Sequence, residues 1–495
     1  MKWQYLLGFL FLTTCYACSS EKEAPKPPNI IYILADDLGY NELGCYGQRK
    51  IKTPHIDQLA AEGMRFTQHY SGSTVCAPSR CVLLTGQHTG NAYVRDNYEL
   101  GGFLDEEEGG QLPLKPNTPN MALMLQEAGY ATACIGKWGL GGPNTTGVPN
   151  KQGFDFFYGY LCQKQAHNYY PTHLWKNEEW DTLANTFFHP HQRFPVDLDS
   201  LDANNYTPYQ SQEYAVDRMR EEAESFIRNH ADEAFFLYYP IPIPHLGLQI
   251  PTEELEQYAH FEDPPYLGKR GYVPTAQPRA TYAAMISRLD AEVGHIMATL
   301  KELGLDENTL VIFSSDNGAT IPGVGGVDIA FFESHGPLRG WKTNLFEGGI
   351  RVPMIARWPK QIAAGSSSEH LSAFWDVWPT IAELTQQELD APTDGISFLP
   401  TLLGKDKQAK HDHLYWEFHA RGSSQAVRMG KYKAIRQNLK KNPNAPIELY
   451  DLSIDIGEEN DISVQYPTIV QQMDSIMQLR TISEIEGWNF VAEKK

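Results

Sequence analysis

The chain has 495 residues, 42% of them hydrophobic and 21% charged, enough to build a large core in two or three domains. That balance excludes a disordered or fibrous protein. A formal net charge of -20 with no Lys/Arg stripe excludes a nucleic-acid binder, and it leaves any anionic substrate in need of a locally positive pocket.

The N-terminus reads as an export signal. Lys2 is followed by the apolar run Leu6 to Leu12, too short to cross a membrane as a helix. Cys18, with Ala17 before it and Ser19-Ser20-Glu21 after it, suits lipid attachment better than Cys15, which follows Thr14. Residues 1–18 are therefore expected to be a lipoprotein-type signal and 19–28 a tether, with an ordinary secretory signal as the alternative. Cys45, Cys76, Cys81, Cys134 and Cys162 remain. An odd number with no tight CxxC pair argues against a zinc site or a full disulfide framework.

Asn29 to Ala35 (NIIYILA) reads as a buried parallel strand, followed at once by Asp36-Asp37. Residues 118–128 read as a helix ended by Gly129, and Tyr130 to Ile135 as a strand leading to Gly136-Lys137. Glu213 to His230 is an expected helix. Ala234 to Tyr239 is an expected strand running into IPIPH, which ends at His245. Residues 280–303 carry helical apolar spacing, and Leu310 to Ser314 is a strand followed by Asp316-Asn317. The alternation predicts a mostly parallel sheet flanked by helices. In such sheets ligands bind beyond the carboxyl ends of the strands, so these polar groups are expected on one rim. From about residue 400, HLYWEFH, QAVRMGKYKAIR and IELYDLS predict a smaller antiparallel subdomain with a terminal helix near 466–480. The expected division is a catalytic domain over 29–399 and a C-terminal subdomain over 400–495.

Two adjacent carboxylates are uncomfortable without a cation or proton between them. Asp36-Asp37 and Asp316-Asn317 offer only oxygen ligands, which suit calcium or magnesium. Each pair alone is more often a turn or cap; with both on one rim, a metal site and a turn or cap stand equally open. Cys76-Ala77-Pro78-Ser79-Arg80 has proline where a first helical turn favours it, placing Cys76 at a positive helix end with Arg80 one turn on. By itself, Cys76 reads first as a buried cysteine capping a helix.

The segment CAPSR resembles the sulfatase signature Cys-x-Pro-x-Arg, which a maturation enzyme reads to convert cysteine into formylglycine. TGQHTG, GYATACIGKW (129–138), NIIYILADDLGY, FSSDNGA, LRGWKTNLFEGGIRVP and LYDLSIDIGEEND are similar to further sulfatase blocks, in family order, over residues 29–465. The resemblance implies an alkaline-phosphatase-like α/β fold with a smaller C-terminal domain. It implies calcium (magnesium is possible) on Asp36, Asp37, Asp316 and Asn317, with modified Cys76 adding an oxygen. It implies that Arg80 holds the formylglycine, that Lys137 and Lys342 bind sulfate oxygens, and that His245 stands near the leaving oxygen. Formylglycine hydrate would attack sulfur with one hydroxyl and expel sulfate through the other.

One position departs: many relatives have Gly-Lys-Trp-His-Leu, and here Gly139 takes the histidine place. His167, in CQKQAHNYYP, is a substitute base, a sugar contact or a structural histidine; Asp316 or a water are alternatives for the base. Arg95 and Asn97 are candidate sugar-pocket residues, as are the aromatic segment 167–175 and His419, with a surface or packing role as the alternative for each. The expected substrate is a sulfated saccharide carrying galactose or N-acetylgalactosamine units. The other expected partner is the formylglycine-generating enzyme, and the membrane is met only through the Cys18 lipid. The location is then the periplasm or cell surface of a Gram-negative bacterium. A phosphatase of the same superfamily, or a non-catalytic glycan-binding surface protein, are the alternatives.

Overall fold

The computed structural model describes residues 26–389 and 391–490. The expected signal segment, Cys18 and most of the tether lie outside these residues. No described helix is long and apolar enough to cross a membrane.

The strands of the main sheet are β1 (Asn29–Ala35), β2 (Met64–Tyr70), β3 (Ala131–Lys137), β4 (Phe156–Tyr160), β5 (His173–Lys176), β6 (Glu179–Thr182), β7 (Phe235–Pro240), β8 (Thr309–Ser315), β9 (Arg351–Arg357), β10 (Ser366–Ser368) and β11 (Ser372–Ala373). They run in the order β10-β2-β9-β8-β1-β7-β3-β4-β5-β6, with β11 also on β2. The centre, β8-β1-β7-β3-β4, is parallel. The main helices around it are α1 (Pro54–Glu62), α2 (Cys76–Thr85), α3 (Met121–Glu127), α4 (Ala215–Asn229) and α5 (Pro278–Glu302).

β1 is buried along its whole length, as a central parallel strand covered on both faces must be. Its side chains alternate between two cores. Ile30, Tyr32 and Leu34 pack with α2, α3 and the helix Val377–Thr385; Ile31, Ile33 and Ala35 pack with α1, α4 and α5. The helix expected over 118–128 starts at Met121, because Asn120 caps it by accepting from the Ala122 and Leu123 N–H groups.

The antiparallel flank was not expected. β9 runs against both β8 and β2 despite carrying Pro353, which has no N–H to give. The mismatch is absorbed opposite it, where the β2 register shifts between Phe66 and His69.

The C-terminal strands β12 (Leu414–Phe418), β13 (Ser424–Met429), β14 (Tyr432–Gln437) and β15 (Ile447–Asp451) form an antiparallel sheet in chain order. One face carries Tyr415, Val427, Ala434 and Leu449 against Met473 and Met477 of the helix Pro467–Met477. The other sends Leu414, Trp416, Phe418, Ala426 and Ile435 into the core beneath α2.

Candidate active site

Because β8, β1, β7 and β3 are adjacent and parallel, their carboxyl ends share one edge. Asp36-Asp37 follows β1, Asp316-Asn317 follows β8, Lys137 is the last residue of β3 and His245 lies just beyond β7. The turn after β1 places Asp37 at φ 64, in the left-handed region that Asp tolerates. That turn is tied to the turn after β8: Asp37 N–H donates to Asp316 Oδ1 at 3.1 Å, and Leu38 N–H to Ser315 Oγ at 3.0 Å.

α2 brings in the reactive residue. Its first residue is Cys76, aimed at this edge, and Asn97 Oδ1 accepts from Ala77 N–H at 2.9 Å. Cys76 Sγ lies 3.4 Å from Asp36 Oδ1, 3.3 Å from Lys342 Nζ and 3.7 Å from Lys137 Nζ. Lys342 arrives from the β8–β9 connection, where its N–H donates to Ala319 O at 2.8 Å and the next residue's N–H to Thr74 O at 3.0 Å. The ammonium groups bond the first carboxylate pair: Lys137 Nζ to Asp36 Oδ2 at 2.5 Å and Lys342 Nζ to Asp37 Oδ1 at 2.7 Å.

Arg80 lies under the pair with no exposure. Its Nη2 is 2.8 Å from Asp316 Oδ2 and 3.2 Å from Asp36 Oδ2, and its Nη1 donates to Lys137 O. It thereby ties α2, β1, β3 and β8 together. Burial alone would raise the Asp36 carboxyl, but Lys137, His245, Arg80 and Lys342 outweigh it and hold that group well below the usual carboxylate range. Burial, with Asp36 beside it, pushes Asp316 up to about 6. Burial, with Asp316 and Asp36, also pushes the Cys76 thiol well up. His245 Nδ1 meets Leu246 O at 2.5 Å, which fixes the proton there and turns Nε2 to Asp37 Oδ2, 3.6 Å away.

These residues fit a hard divalent cation. Asp36, Asp37, Cys76 and His245 bring donor atoms within 4.8 Å of one another. Asn317 Oδ1 is buried with no hydrogen-bond donor among the described residues, an acceptor that a cation would satisfy.

The remaining expected residues divide. His167 is in the site's wall: its ring stacks on His245 with centroids 5.0 Å apart, and its Nδ1 is 2.9 Å from His191 Nε2. Arg95 requires a correction. It is buried, with Nε donating to Ala92 O, Nη1 to Glu417 Oε1 and Thr481 O, and Nη2 to Thr481 Oγ1. It locks the C-terminal sheet to the main body, with four of its five N–H groups committed to these partners. Asn97 commits its oxygen to the start of α2, so it supports the residue-76 turn rather than presenting that oxygen to a substrate. His419 pairs through Nε2 with Glu417 at 2.9 Å, in the same inter-sheet network. The sequence reading passed over His191, Tyr272 and Phe103, whose rings stack around His167 and each other. They are scattered through loops with no shared spacing, so only the fold gathers them.

The Sulfatase family profile matches residues 28–387, and the profile for the N-sulphoglucosamine sulphohydrolase C-terminal region matches residues 339–482. The chain belongs to the sulfatase family and is a sulfuric ester hydrolase. It is 31% identical to the steryl-sulfatase of Rattus norvegicus, over 90% of this chain and 82% of that one. It is 30% identical to the N-acetylgalactosamine-6-O-sulfatase of Bacteroides thetaiotaomicron, over 96% and 97% respectively. Its fold is similar to that of Ps i-CgsB solved with k-i-k-neocarrahexaose, with a TM-score of 0.74, 27% identity and 92% of each chain covered.

Proposed function

We propose that this chain hydrolyses sulfate esters on sulfated carbohydrates, at galactose or N-acetylgalactosamine units, using formylglycine made from Cys76 and a calcium ion. The observation that carries the reading is Cys76 at the start of α2, its Sγ 3.3 Å from Lys342 Nζ and 3.4 Å from Asp36 Oδ1. The sugar rests on the Bacteroides N-acetylgalactosamine-6-O-sulfatase, which aligns with 96% of the chain.

A sulfate ester is an anion, so a nucleophile approaches only where its charge is balanced. Calcium on Asp36, Asp37, Asp316 and Asn317 would supply part of that charge and polarise the sulfate oxygens. Lys137 and Lys342 supply the rest, turning from the carboxylates to the sulfate oxygens. Arg80 keeps the carboxylates and α2 in register. The hydrated aldehyde of residue 76 would attack sulfur through one hydroxyl and release sulfate through the other, re-forming the carbonyl. His245 Nε2, 3.6 Å from Asp37 Oδ2, would give the departing alcohol oxygen its proton; burial and Lys137 draw this imidazole down to about 4, so it would take up that proton only as the anionic substrate binds. Export, the Cys18 lipid and a maturation enzyme belong to the same reading, supported by the short apolar run before Cys18 and by the CAPSR segment.

A panel of sulfated galactose, N-acetylgalactosamine, glucosamine, steroid and aryl esters tests the substrate. Sulfate release is expected from a galactose-type sugar; release from the steroid ester alone would overturn that choice. The peptide containing residue 76 is expected about 18 Da below its thiol mass, opposite in sign to ordinary cysteine oxidation, which adds oxygen. An intact thiol in active enzyme would defeat the mechanism. Exhaustive chelation is expected to abolish turnover and calcium to restore it, as an all-oxygen ligand set requires. Full activity in protein shown to be cation-free would rule that site out.

A further inference from the structure

Gly139 stands two residues past Lys137 at φ 82, a left-handed conformation, and its empty side is filled by Gln163. A Cβ at residue 139 would lie 2.3 Å from Gln163 Nε2 and 2.9 Å from its Cδ and Cγ, so glycine and glutamine occupy that space jointly. Gln163 is 3% exposed, and its Nε2 finds no acceptor among the described residues. Buried polar groups are nearly always paired, and a deliberately placed orphan donor points to a ligand.

The backbone around it is held firmly. Gln163 N–H donates to Gln111 Oε1 at 3.0 Å, and Gln111 Nε2 in turn donates to Glu99. Burial raises the Glu99 carboxyl, while the Gln111 hydrogen bond and the charges of Lys164, Lys137 and Lys342 draw it down. Gly139 itself is fixed by its N–H donating to Leu161 O at 3.2 Å.

We propose that Gln163, seated in the space that Gly139 frees, is a substrate-contacting residue whose Nε2–H donates to an oxygen of the bound sulfate group. The proposal rests on the sulfatase reading above. A carboxamide neither gains nor loses a proton near neutral pH, so Gln163 holds an oxygen and cannot serve as the base for sulfate release. Its hydrogen bond to an anion belongs to the stronger, charge-assisted class.

The test measures inorganic sulfate affinity by calorimetry, kcat and KM on the preferred sulfated sugar, and Tm, for the mature protein and its variants. Gln163→Leu is expected to weaken sulfate binding about tenfold and to lower kcat/KM by a similar factor. Its Tm should hold or rise, because an unpaired buried donor has been removed. Gln163→Glu should lose more sulfate affinity than Gln163→Leu, since a carboxylate repels the anion. Gln163→Met, matched in length but without the donor, should behave as Gln163→Leu and serves if that variant fails to fold. Wild-type sulfate affinity and kinetics in these variants, with or without a lower Tm, would overturn the proposal and leave the sulfatase reading intact. A wild-type protein that hydrolyses no sulfate ester would sink that reading, while the sulfate affinities still decide the role of Gln163.

Discussion

Cys76→Ser should stop multiple turnover, lowering steady-state kcat by about a thousandfold or more. The serine hydroxyl can replace the thiol at the start of α2, between Asp36 and Lys342. It can attack sulfur and release the alcohol. Its Cβ then bears the sulfate ester and no second hydroxyl, so there is no carbonyl to re-form and no internal route for sulfate to leave. A single equivalent of alcohol should appear, followed by arrest. The peptide containing residue 76 should gain the mass of SO3. Sustained turnover by protein whose residue 76 is shown to be unmodified serine would show that the second hydroxyl is unnecessary, and with it the formylglycine mechanism would fall.

Arg80→Met is expected to carry the largest stability loss. Arg80 and the carboxylates of Asp36 and Asp316 are fully buried, and the guanidinium bonds both acids and the Lys137 carbonyl. Methionine retains the length and the packing but leaves the acids short of a cation. Removing one partner of such a buried cluster costs about 3–5 kcal/mol. The loss should appear in chemical denaturation as a lower midpoint at unchanged slope. Because Lys137 must then serve both acids, activity should fall as well. Added calcium should recover part of the stability, as a ligand that binds only the native state does. A variant as stable as the wild type would mean that the acids are held by Lys137 and Lys342 without Arg80.

The sequence was informative wherever structure follows from neighbouring residues. NIIYILA is β1 from end to end, because a strand covered on both faces must be apolar throughout. The helix expected over 280–303 runs over Pro278–Glu302, with the proline at its start. The strand-end placement of Asp36-Asp37, Lys137 and Asp316-Asn317 was readable for the same reason: a parallel sheet puts every such end on one edge. Pattern and motif also named Cys76, Arg80, Lys342 and His245, all of which meet there.

What the sequence left open concerns groups whose partners lie far along the chain. Arg95 looked like a pocket residue because it follows α2 closely; only the fold brings Glu417 and Thr481 to it and commits most of its donors. Pro353 in β9 has no N–H to give, and it is the facing strand that accommodates it, with a register shift between Phe66 and His69. Gly139 read as a missing histidine, and the fold fills the gap with Gln163. The local chain determined which groups stand at the ends of the strands, because periodicity and turn chemistry are short-range. Tertiary packing decided which of those groups remain free to meet a ligand, because a buried donor is spoken for only by what the fold places beside it.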